Sequence, residues 1–302
     1  MRGLVVKSTG SIYKIRDQNG LFHECRLKGS LRQNKSELTN PVAVGDWVEV
    51  DVLKEYNHIS IIYPRDNYVL RKSNNLSKRA QIIASNIDQV LLIVTISQPR
   101  TSFGFIDRYL AICEIYGIEA ILLFNKFDVY NKEEKDLLDE YVALYKKIGY
   151  KTLVGSVFNN ETIKEIRHIF SNKKTLLAGH SGVGKSTWLN VLVPDINQKT
   201  GEISEAHKKG KHTTTFAEMF FIDRETGIID TPGIKDFGIV ETMKSEVQNG
   251  FKEFAQYRHF CRFNNCSHTE EPNCAILEAL KDGSISESRY YTYLSIIDEI
   301  AV

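Results

Sequence analysis

The 302-residue chain has no long hydrophobic run, and it contains few cysteines, prolines and methionines. No apolar stretch approaches the roughly 18 residues of a bilayer-spanning helix, which excludes a transmembrane segment. The amino terminus also lacks the pattern of charged, apolar and small residues that marks a signal peptide. We therefore expect a cytoplasmic protein with no membrane partner.

Internal repeats and low-complexity tracts are missing as well. The composition is 42% hydrophobic and 25% charged. A chain of this length and composition can form two or three domains that each have a core. The polar and basic run 70–79 predicts a linker after the first of these domains.

A glycine-rich loop at 179–186 has the pattern G-x-x-x-x-G-K-[ST]. The apolar run 174–178 predicts a buried parallel strand before it, and residues 187–192 predict a helix after it. Between a strand and a helix, such a loop points several backbone N–H groups at a phosphate, whereas a plain surface turn needs neither neighbour. The candidate nucleotide-binding residues are Gly179, His180, Ser181, Gly182, Val183, Gly184, Lys185, Ser186 and Thr187. Lys185 is also a candidate catalytic residue, and Ser186 is a candidate magnesium ligand.

The segment 226–233 predicts the second half of a phosphate site. Asp230 ends a short apolar strand, where a carboxylate can hold magnesium through water. A proline-fixed turn follows, so the N–H of Gly233 can approach a γ-phosphate without a side chain in the way. An isolated Asp-Thr-Pro-Gly sequence is usually an ordinary turn, but after a phosphate loop it indicates a magnesium site.

The sequence Asn-Lys-Phe-Asp at 125–128 predicts which base is bound. The apolar run 120–124 predicts a buried strand that delivers these residues to its carboxyl end, where ligands bind in open α/β sheets. Asp128 can accept hydrogen bonds from N1–H and the 2-amino group of guanine, and adenine has neither donor. With Asn125 and Lys126 beside it, this carboxylate predicts GTP and GDP, and it disfavours the alternative of a P-loop ATPase or kinase.

The order of the motifs is inverted, since 125–128 precedes the phosphate loop by about fifty residues, whereas it follows that loop in ordinary GTPases. The GTPase domain is therefore predicted to be circularly permuted. In these motifs and their order, the chain resembles the ribosome small-subunit-dependent GTPase A (RsgA, or YjeQ) family over nearly its whole length. The resemblance implies an N-terminal OB-fold, a permuted GTPase core and a C-terminal zinc domain.

Three of the five cysteines lie within fourteen residues, in a C-x4-C-x-H-x5-C pattern that the family's zinc domain shares. Three thiolates and one imidazole complete a tetrahedral zinc shell. A disulfide and buried free thiols are the alternatives, which the missing signal peptide and the polar neighbours disfavour. We expect one structural Zn²⁺. Its candidate ligands are Cys261, Cys266, His268 and Cys274, whereas Cys25 and Cys113 are expected to be buried thiols or isolated cysteines.

The polar segment between the phosphate loop and Asp230 lacks helix and strand periodicity, which predicts a switch that GTP and Mg²⁺ order. A solvated basic loop is the alternative. By resemblance to the family's G-x-H-T-T pattern, Thr213 or Thr214 contacts the nucleotide, and Thr214 is the candidate magnesium ligand. Ile234 stands where many GTPases have a water-orienting glutamine. The resemblance therefore makes His212 the candidate catalytic residue, although contact with RNA phosphate is also open to it.

Residues 1–72 contain short, partly alternating strands separated by glycine, asparagine and proline. Five such strands predict a small barrel, either an OB-fold, which binds oligonucleotides, or an SH3-like barrel. Lysine and arginine number 12 and aspartate and glutamate 8 in this range, against a net charge of +1 for the whole chain. This modest surplus and the resemblance together predict RNA binding. In the C-terminal tail, interleaved basic and aromatic residues suit either RNA contact or helix packing.

The predicted fold is an α/β P-loop GTPase core, circularly permuted, with an N-terminal all-β OB-fold barrel and a C-terminal, mostly helical zinc-binding domain. The predicted domains are 1–72, 73–240 and 241–302. Guanine O6 is expected to meet a backbone N–H at Gly155 or Ser156.

The resemblance implies a monomeric GTPase that binds the small (30S) ribosomal subunit, with its 16S rRNA and ribosomal proteins. It also implies that hydrolysis is coupled to late maturation of the subunit and is stimulated by it. A GTP-regulated RNA-binding scaffold with negligible turnover is the alternative, and Ile234 permits it.

Overall fold

The structure is a computed structural model that describes residues 1–32, 41–52, 56–72, 80–193, 196, 217–231 and 243–300. Its strands are β1 (Arg2–Ser8), β2 (Tyr13–Asp17), β3 (Phe22–Leu27), β4 (Trp47–Asp51), β5 (Asn57–Ile62), β6 (Tyr68–Lys72), β7 (Ala80–Ser85), β8 (Gln89–Val94), β9 (Glu119–Phe124), β10 (Lys151–Val154), β11 (Lys174–Ala178), β12 (Glu218–Phe221) and β13 (Gly227–Asp230). Its α-helices are α1 (Gly29–Arg32), α2 (Phe103–Ile115), α3 (Lys132–Ile148), α4 (Asn160–Phe170), α5 (Lys185–Leu192), α6 (Lys244–Val247), α7 (Phe254–Tyr257), α8 (Ala275–Lys281) and α9 (Glu287–Ile300). Single 3₁₀ turns lie at Phe127–Val129, Gln248–Gly250 and Arg258–Phe260.

The first five strands close into a barrel in the order β1-β2-β3-β5-β4, with β4 pairing back onto β1. β3 and β5 run parallel, and the other neighbours are antiparallel. Alternate side chains point inward, and Val5, Ile15 and Val48 at the centre are fully buried. The predicted OB-like barrel is thus confirmed.

A second hairpin, β6–β7, lies where the sequence predicts a linker. Residues 70–72 belong to β6 and pair with β7, so the linker prediction is wrong for them. The physical reason is that Val69 and Leu70 are buried, and this apolar pair outweighs the polar run that follows. Residues 73–79 of the predicted linker lie outside the described ranges. The hairpin also extends across the domain boundary predicted at residue 72.

The GTPase core is built on strands in the order β10-β9-β8-β11-β13-β12. The first five are parallel, and β12 is antiparallel to β13. Along β8, Val90, Leu92 and Val94 pack on the side of α2 and α3, whereas Leu91 and Ile93 pack on the side of α4 and α5. Because both faces are covered, the sheet edge at the carboxyl ends of the strands is the place for a ligand.

The barrel continues the GTPase sheet. Lys7 of β1 pairs in register with Glu218 of β12, which gives an 11-stranded sheet. The Lys7 ammonium also lies 2.7 Å from a Glu218 carboxylate oxygen. Arg16 donates a hydrogen bond of 2.7 Å to the carbonyl of Arg224 in the turn between β12 and β13. The barrel is therefore attached to the hairpin that ends in Asp230.

The C-terminal helices enclose a core of their own, in which α9 packs on α2 of the GTPase domain. The C-terminal tail, whose residues suit RNA contact or helix packing, forms α9 here. Tyr290 and Tyr293 are buried and donate hydrogen bonds to backbone carbonyls, so these two aromatics serve packing, whereas Tyr291 is exposed. Among the described residues, no helix is long and apolar enough to cross a bilayer.

A buried ion network joins α9 to α2. Arg289 is fully buried, and its Nε lies 2.7 Å from a carboxylate oxygen of Glu253. Its Nη1 lies 3.6 Å from a carboxylate oxygen of Asp107, which also accepts a hydrogen bond of 2.9 Å from Tyr145. Burial raises the pKa of the Asp107 carboxyl, and the charge of Arg289 opposes this shift. The guanidinium therefore connects the two domains.

Replacing Arg289 by methionine is expected to lower the free energy of unfolding by about 3–5 kcal/mol, because Glu253 and Asp107 would remain buried without their cation. Urea unfolding followed by circular dichroism measures the loss. Arg108→Met is the matched control, since Arg108 of α2 pairs with Glu299 of α9 at a partly exposed site. Its cost should not exceed about 1 kcal/mol. If the two variants lost the same free energy of unfolding, the buried network would contribute no more to stability than the partly exposed ion pair.

Candidate functional site

The phosphate loop lies between β11 and α5, as the sequence predicts. Gly179 has a φ of +135°, and a Cβ there would lie 2.2 Å from the carbonyl oxygen of Ile93. Gly184 has a φ of +106°, and a Cβ there would lie 2.5 Å from the Asn125 side-chain nitrogen. Both positions therefore require glycine. The loop is packed against β8 and against the predicted base-selecting residues.

Opposite charges meet at this edge of the sheet. The ammonium of Lys185 donates hydrogen bonds of 2.7 Å to the carbonyls of Gly179 and His180. Asp230 is buried at the end of β13. Burial lowers the pKa of Lys185 and raises the pKa of Asp230, and each group's charge opposes the other's shift. An ammonium here suits a phosphate, and the carboxylate suits a divalent cation.

The residues 125–128 are brought against the phosphate loop although they precede it by about fifty residues. The Asn125 amide donates a hydrogen bond of 2.8 Å to the carbonyl of Val183. The Lys126 ammonium donates one of 2.9 Å to the carbonyl of Gly182. Within the described part of the chain, the buried Asn125 Oδ1 has no hydrogen-bond partner. An unpaired acceptor at this position leaves room for a ligand's donor.

The loop after β10 lies beside Asp128. Phe124 and Val154 are partners in the parallel pairing of β9 and β10. Immediately beyond them, the Phe127 N–H donates a hydrogen bond of 3.3 Å to the carbonyl of Gly155. Asp128 is exposed on the 3₁₀ turn, whereas Gly155 and Ser156 are buried. The loop proposed from sequence to meet guanine O6 is therefore adjacent to the turn that carries Asp128.

Other predicted site residues divide into two groups. Ser186 is half-buried and Thr187 is exposed in the first turn of α5, and Ser181 is exposed in the loop. The switch candidates lie outside the described residues. They are His212, Thr213, Thr214, Gly233 and Ile234.

The turn after β8 takes part in the site, and sequence reasoning missed it. The carbonyl of Gln98 accepts a hydrogen bond of 2.5 Å from the Lys126 ammonium. A Cβ at Gly182 would lie 3.4 Å from Pro99. The ring of Phe105 at the start of α2 lies 3.7 Å from that of His180 between centroids. The Gln-Pro pair alone signals only a turn, so the sequence has no pattern that predicts this contact.

The four predicted metal ligands converge in the C-terminal domain. The donor atoms of Cys261, Cys266, His268 and Cys274 all lie within 4.8 Å of one another. Cys261 Sγ lies 3.9 Å from Cys274 Sγ, and His268 Nδ1 lies 3.6 Å and 3.4 Å from these two sulfurs. Tetrahedral zinc at ordinary bond lengths separates two sulfurs by about 3.8 Å and a sulfur from a nitrogen by about 3.5 Å. The cluster can therefore hold a metal ion of that size.

A neighbouring amide and burial set the protonation states of the predicted metal ligands. His268 Nε2 lies 3.0 Å from the side-chain oxygen of Gln248, which favours a proton there and leaves Nδ1 free to coordinate. Burial lowers the pKa of His268 and raises the pKa of the Cys266 and Cys274 thiols. Neutral imidazole is the form that binds metal, and a cation compensates the buried thiolates. Cys25 and Cys113 are free, buried thiols outside the cluster, which is one of the two alternatives that the sequence predicts for them.

The family models match most of the chain. The model of the RsgA GTPase matches residues 62–240, and that of the RsgA N-terminal domain matches residues 2–59. The chain belongs to the RsgA GTPase family. The predicted GTPase activity class and the predicted resemblance are thereby confirmed.

RsgA relatives match over almost their full length. A protein of Phocaeicola vulgatus, named small ribosomal subunit biogenesis GTPase RsgA, is 46% identical over 99% of this chain and 97% of its own. A Flavobacterium psychrophilum protein of the same name is 47% identical over 99% and 93%.

Two solved structures have the same fold. YjeQ from Thermotoga maritima matches with a TM-score of 0.78 and 29% identity, over 99% of this chain and 98% of its own. YloQ, described as a circularly permuted GTPase, matches with a TM-score of 0.74 and 26% identity, over 99% and 94%. The predicted permuted fold is confirmed.

Proposed function

We propose that this RsgA-family chain binds the small (30S) ribosomal subunit, through its 16S rRNA and ribosomal proteins, and couples GTP hydrolysis to late maturation of the subunit. The observation that carries the nucleotide part of the proposal is the contact of Asn125 and Lys126 with the phosphate loop. It brings the predicted guanine-selecting motif against the predicted triphosphate-binding loop. The shared name of the relatives, small ribosomal subunit biogenesis GTPase, supports the small ribosomal subunit as the partner.

In this proposal the base-selecting residues hold guanine by its edge. Asp128 accepts from N1–H and the 2-amino group, and a backbone N–H of Gly155 or Ser156 donates to O6. Asn125 and Lys126 fix the distance between base and phosphates, because both are bonded to the phosphate loop. The proximity of the Phe127 and Gly155 backbones supports this division of roles.

The phosphate loop and its lysine bind the triphosphate. Backbone N–H groups of 179–187 surround the β-phosphate, and the Lys185 ammonium moves from the loop carbonyls to the β- and γ-phosphates. Ser186, Thr214 and Asp230 would hold Mg²⁺, which neutralises charge on the phosphates. Thr213 or Thr214 and the N–H of Gly233 contact the γ-phosphate in the GTP state.

Hydrolysis requires a group that orients water. Ile234 has no polar atom for this task, and His212 is the proposed replacement because neutral imidazole accepts a hydrogen bond. In this proposal intrinsic turnover is slow, and the subunit raises it by acting on the switch segment. The scaffold alternative differs only in this step, since it binds GTP with the same residues and hydrolyses too slowly to matter.

The C-terminal cluster binds one structural Zn²⁺. Four protein ligands saturate the ion, which is typical of structural rather than catalytic zinc. The domain built on it, together with the basic barrel, contacts the ribosomal subunit. The chain acts as a monomer in the cytoplasm, where the maturing subunits are.

The deciding experiment measures phosphate release from GTP by the purified chain, with and without isolated small subunits at matched magnesium, and with ATP as a control. We expect a GTP-specific stimulation of at least tenfold. Lys185→Ala should reduce the stimulated rate by a factor of about 10²–10³, because the lysine stabilises charge on the transferred phosphoryl group. Tight GTP binding without stimulation would favour the scaffold alternative.

A further inference from the structure

Four large apolar side chains are exposed on the segments that adjoin the proposed base site. Phe158, in the loop between β10 and α4, is 83% exposed, the largest fraction among the exposed large hydrophobic residues that the structure describes. Phe127, Val129 and Val154 are exposed nearby on the adjoining loop and strand end. Single exposed apolar side chains are common on protein surfaces, but a group of them on adjoining segments indicates a ligand surface.

The backbone on both sides of Phe158 is fixed. The Ser156 hydroxyl accepts a hydrogen bond of 3.1 Å from the Phe158 N–H. The next residue, Asn159, caps α4 by accepting hydrogen bonds from the N–H groups of Glu161 and Thr162. A Cβ at Gly155 would lie 2.2 Å from Thr162, so this loop is packed against the helix. The backbone at Phe158 is therefore held in place, and its side chain is exposed.

An apolar residue at the position of Phe158 often stabilises the start of the following helix, but Phe158 does not do so here. It precedes the N-cap of α4, where an apolar residue often packs on the fourth residue of the helix, here Ile163. Ile163 packs instead in the core between the sheet and α4 and α5, and the Phe158 ring remains exposed. Helix stability therefore does not account for an aromatic side chain at this position.

The neighbouring groups define what a ligand at this ring would be. Lys126 is tied to the carbonyls of Gln98 and Gly182, so its aliphatic stem spans the gap between the base and phosphate motifs. In the proposed site Asp128 would contact only the edge of a base, which leaves both planar faces to be covered by apolar groups. Aromatic side chains stack on bases irrespective of base identity.

We propose that Phe158 stacks on the guanine base of GTP and GDP and is a nucleotide-affinity residue of this site. The inference rests on the proposed function, because it takes residues 125–128 and 155–156 to be the guanine site. Stacking does not distinguish purines, so selectivity stays with Asp128 while Phe158 contributes affinity. It contributes equally to GTP and GDP, since both carry the same base.

The test compares Phe158→Ala, Phe158→Trp and the wild-type full chain by isothermal titration with GDP and with a non-hydrolysable GTP analogue. We expect Phe158→Ala to weaken both ligands about tenfold. Phe158→Trp should stay within about twofold of the wild type, and its added indole emission should be quenched by GDP. Phe260→Ala is the matched control, because Phe260 is 78% exposed on the C-terminal domain and should leave both affinities unchanged.

Unchanged GDP and GTP affinities in Phe158→Ala would overturn the proposal, and so would an indole emission in Phe158→Trp that GDP does not alter. A loss of subunit-stimulated hydrolysis at unchanged nucleotide affinity would also overturn it, because the ring would then contact the ribosome. Failure of the proposed function is distinguishable, since Asp128→Asn would then leave GDP binding intact. Because Phe158 is exposed, the thermal midpoint of the alanine variant should match the wild type.

Discussion

Cys274→Ser is expected to release the C-terminal metal ion and to unfold the helices packed around it. Structural zinc contributes about 10–16 kcal/mol to the folding of small zinc-finger peptides at pH 7, so losing one thiolate ligand removes a dominant stabilising interaction. In this chain Cys274 and Cys266 lie in the same core as Tyr290 and Tyr293. Metal content should fall from about one zinc per chain to nearly none, and the near-ultraviolet circular dichroism of the tyrosines should weaken.

The control for this experiment is Cys25→Ser, which alters a buried thiol in the barrel, far from the cluster. It should retain its zinc. Nucleotide affinity should survive in Cys274→Ser, because the phosphate loop lies in a different core. A Cys274→Ser protein with full zinc content and unchanged tyrosine signals would contradict the ligand assignment.

Asp128→Asn is expected to weaken GTP binding about a thousandfold. The amide cannot accept both guanine donors, and each hydrogen bond to a charged group contributes about 1.5–3 kcal/mol. Xanthosine triphosphate should gain affinity, because its second carbonyl accepts from the new amide nitrogen while N1–H donates to the amide oxygen. Competition against a fluorescent nucleotide measures both changes in one assay.

Asp136→Asn is the matched control, since Asp136 is an exposed carboxylate on α3, close in sequence. It should leave both affinities unchanged. Equal GTP binding by the wild type and Asp128→Asn would contradict the assignment of guanine recognition to this motif. Strong ATP binding by the wild type would favour the ATPase alternative instead.

Contiguous motifs made the centre of the site predictable. The strand at Lys174–Ala178 has the bounds that its apolar run predicts, because a buried strand followed by a glycine-rich turn is specified by neighbours in sequence. The metal ligands are similarly local, within fourteen residues. In both cases the chemistry needs residues at fixed spacing, and the spacing itself is the signal.

Contacts between segments that are distant in sequence have no fixed spacing, so the sequence does not predict them. Arg289 and Asp107 are 182 positions apart, and an arginine on a helix usually indicates a solvated face rather than a buried ion pair. The pairing of β1 with β12 was equally hidden, because β1 alone has the pattern of a barrel strand. At 70–72, buried apolar neighbours outweighed a polar run. These features depend on which surfaces meet, which local composition does not encode.

The strand order also has a consequence during synthesis. β8 lies beside β11 in the finished sheet, and the side chains of Gln89 and Thr175, which bond across these strands, are 86 positions apart. The segment that selects the base is therefore made first, while the apolar β8 presents an unpaired edge until β11 emerges from the translating ribosome. GTP can be bound only after the phosphate loop, which comes later in the chain, has also been synthesised. Capture of the nucleotide is thus reserved for a nascent chain in which β8, β9, β10 and β11 have all been made.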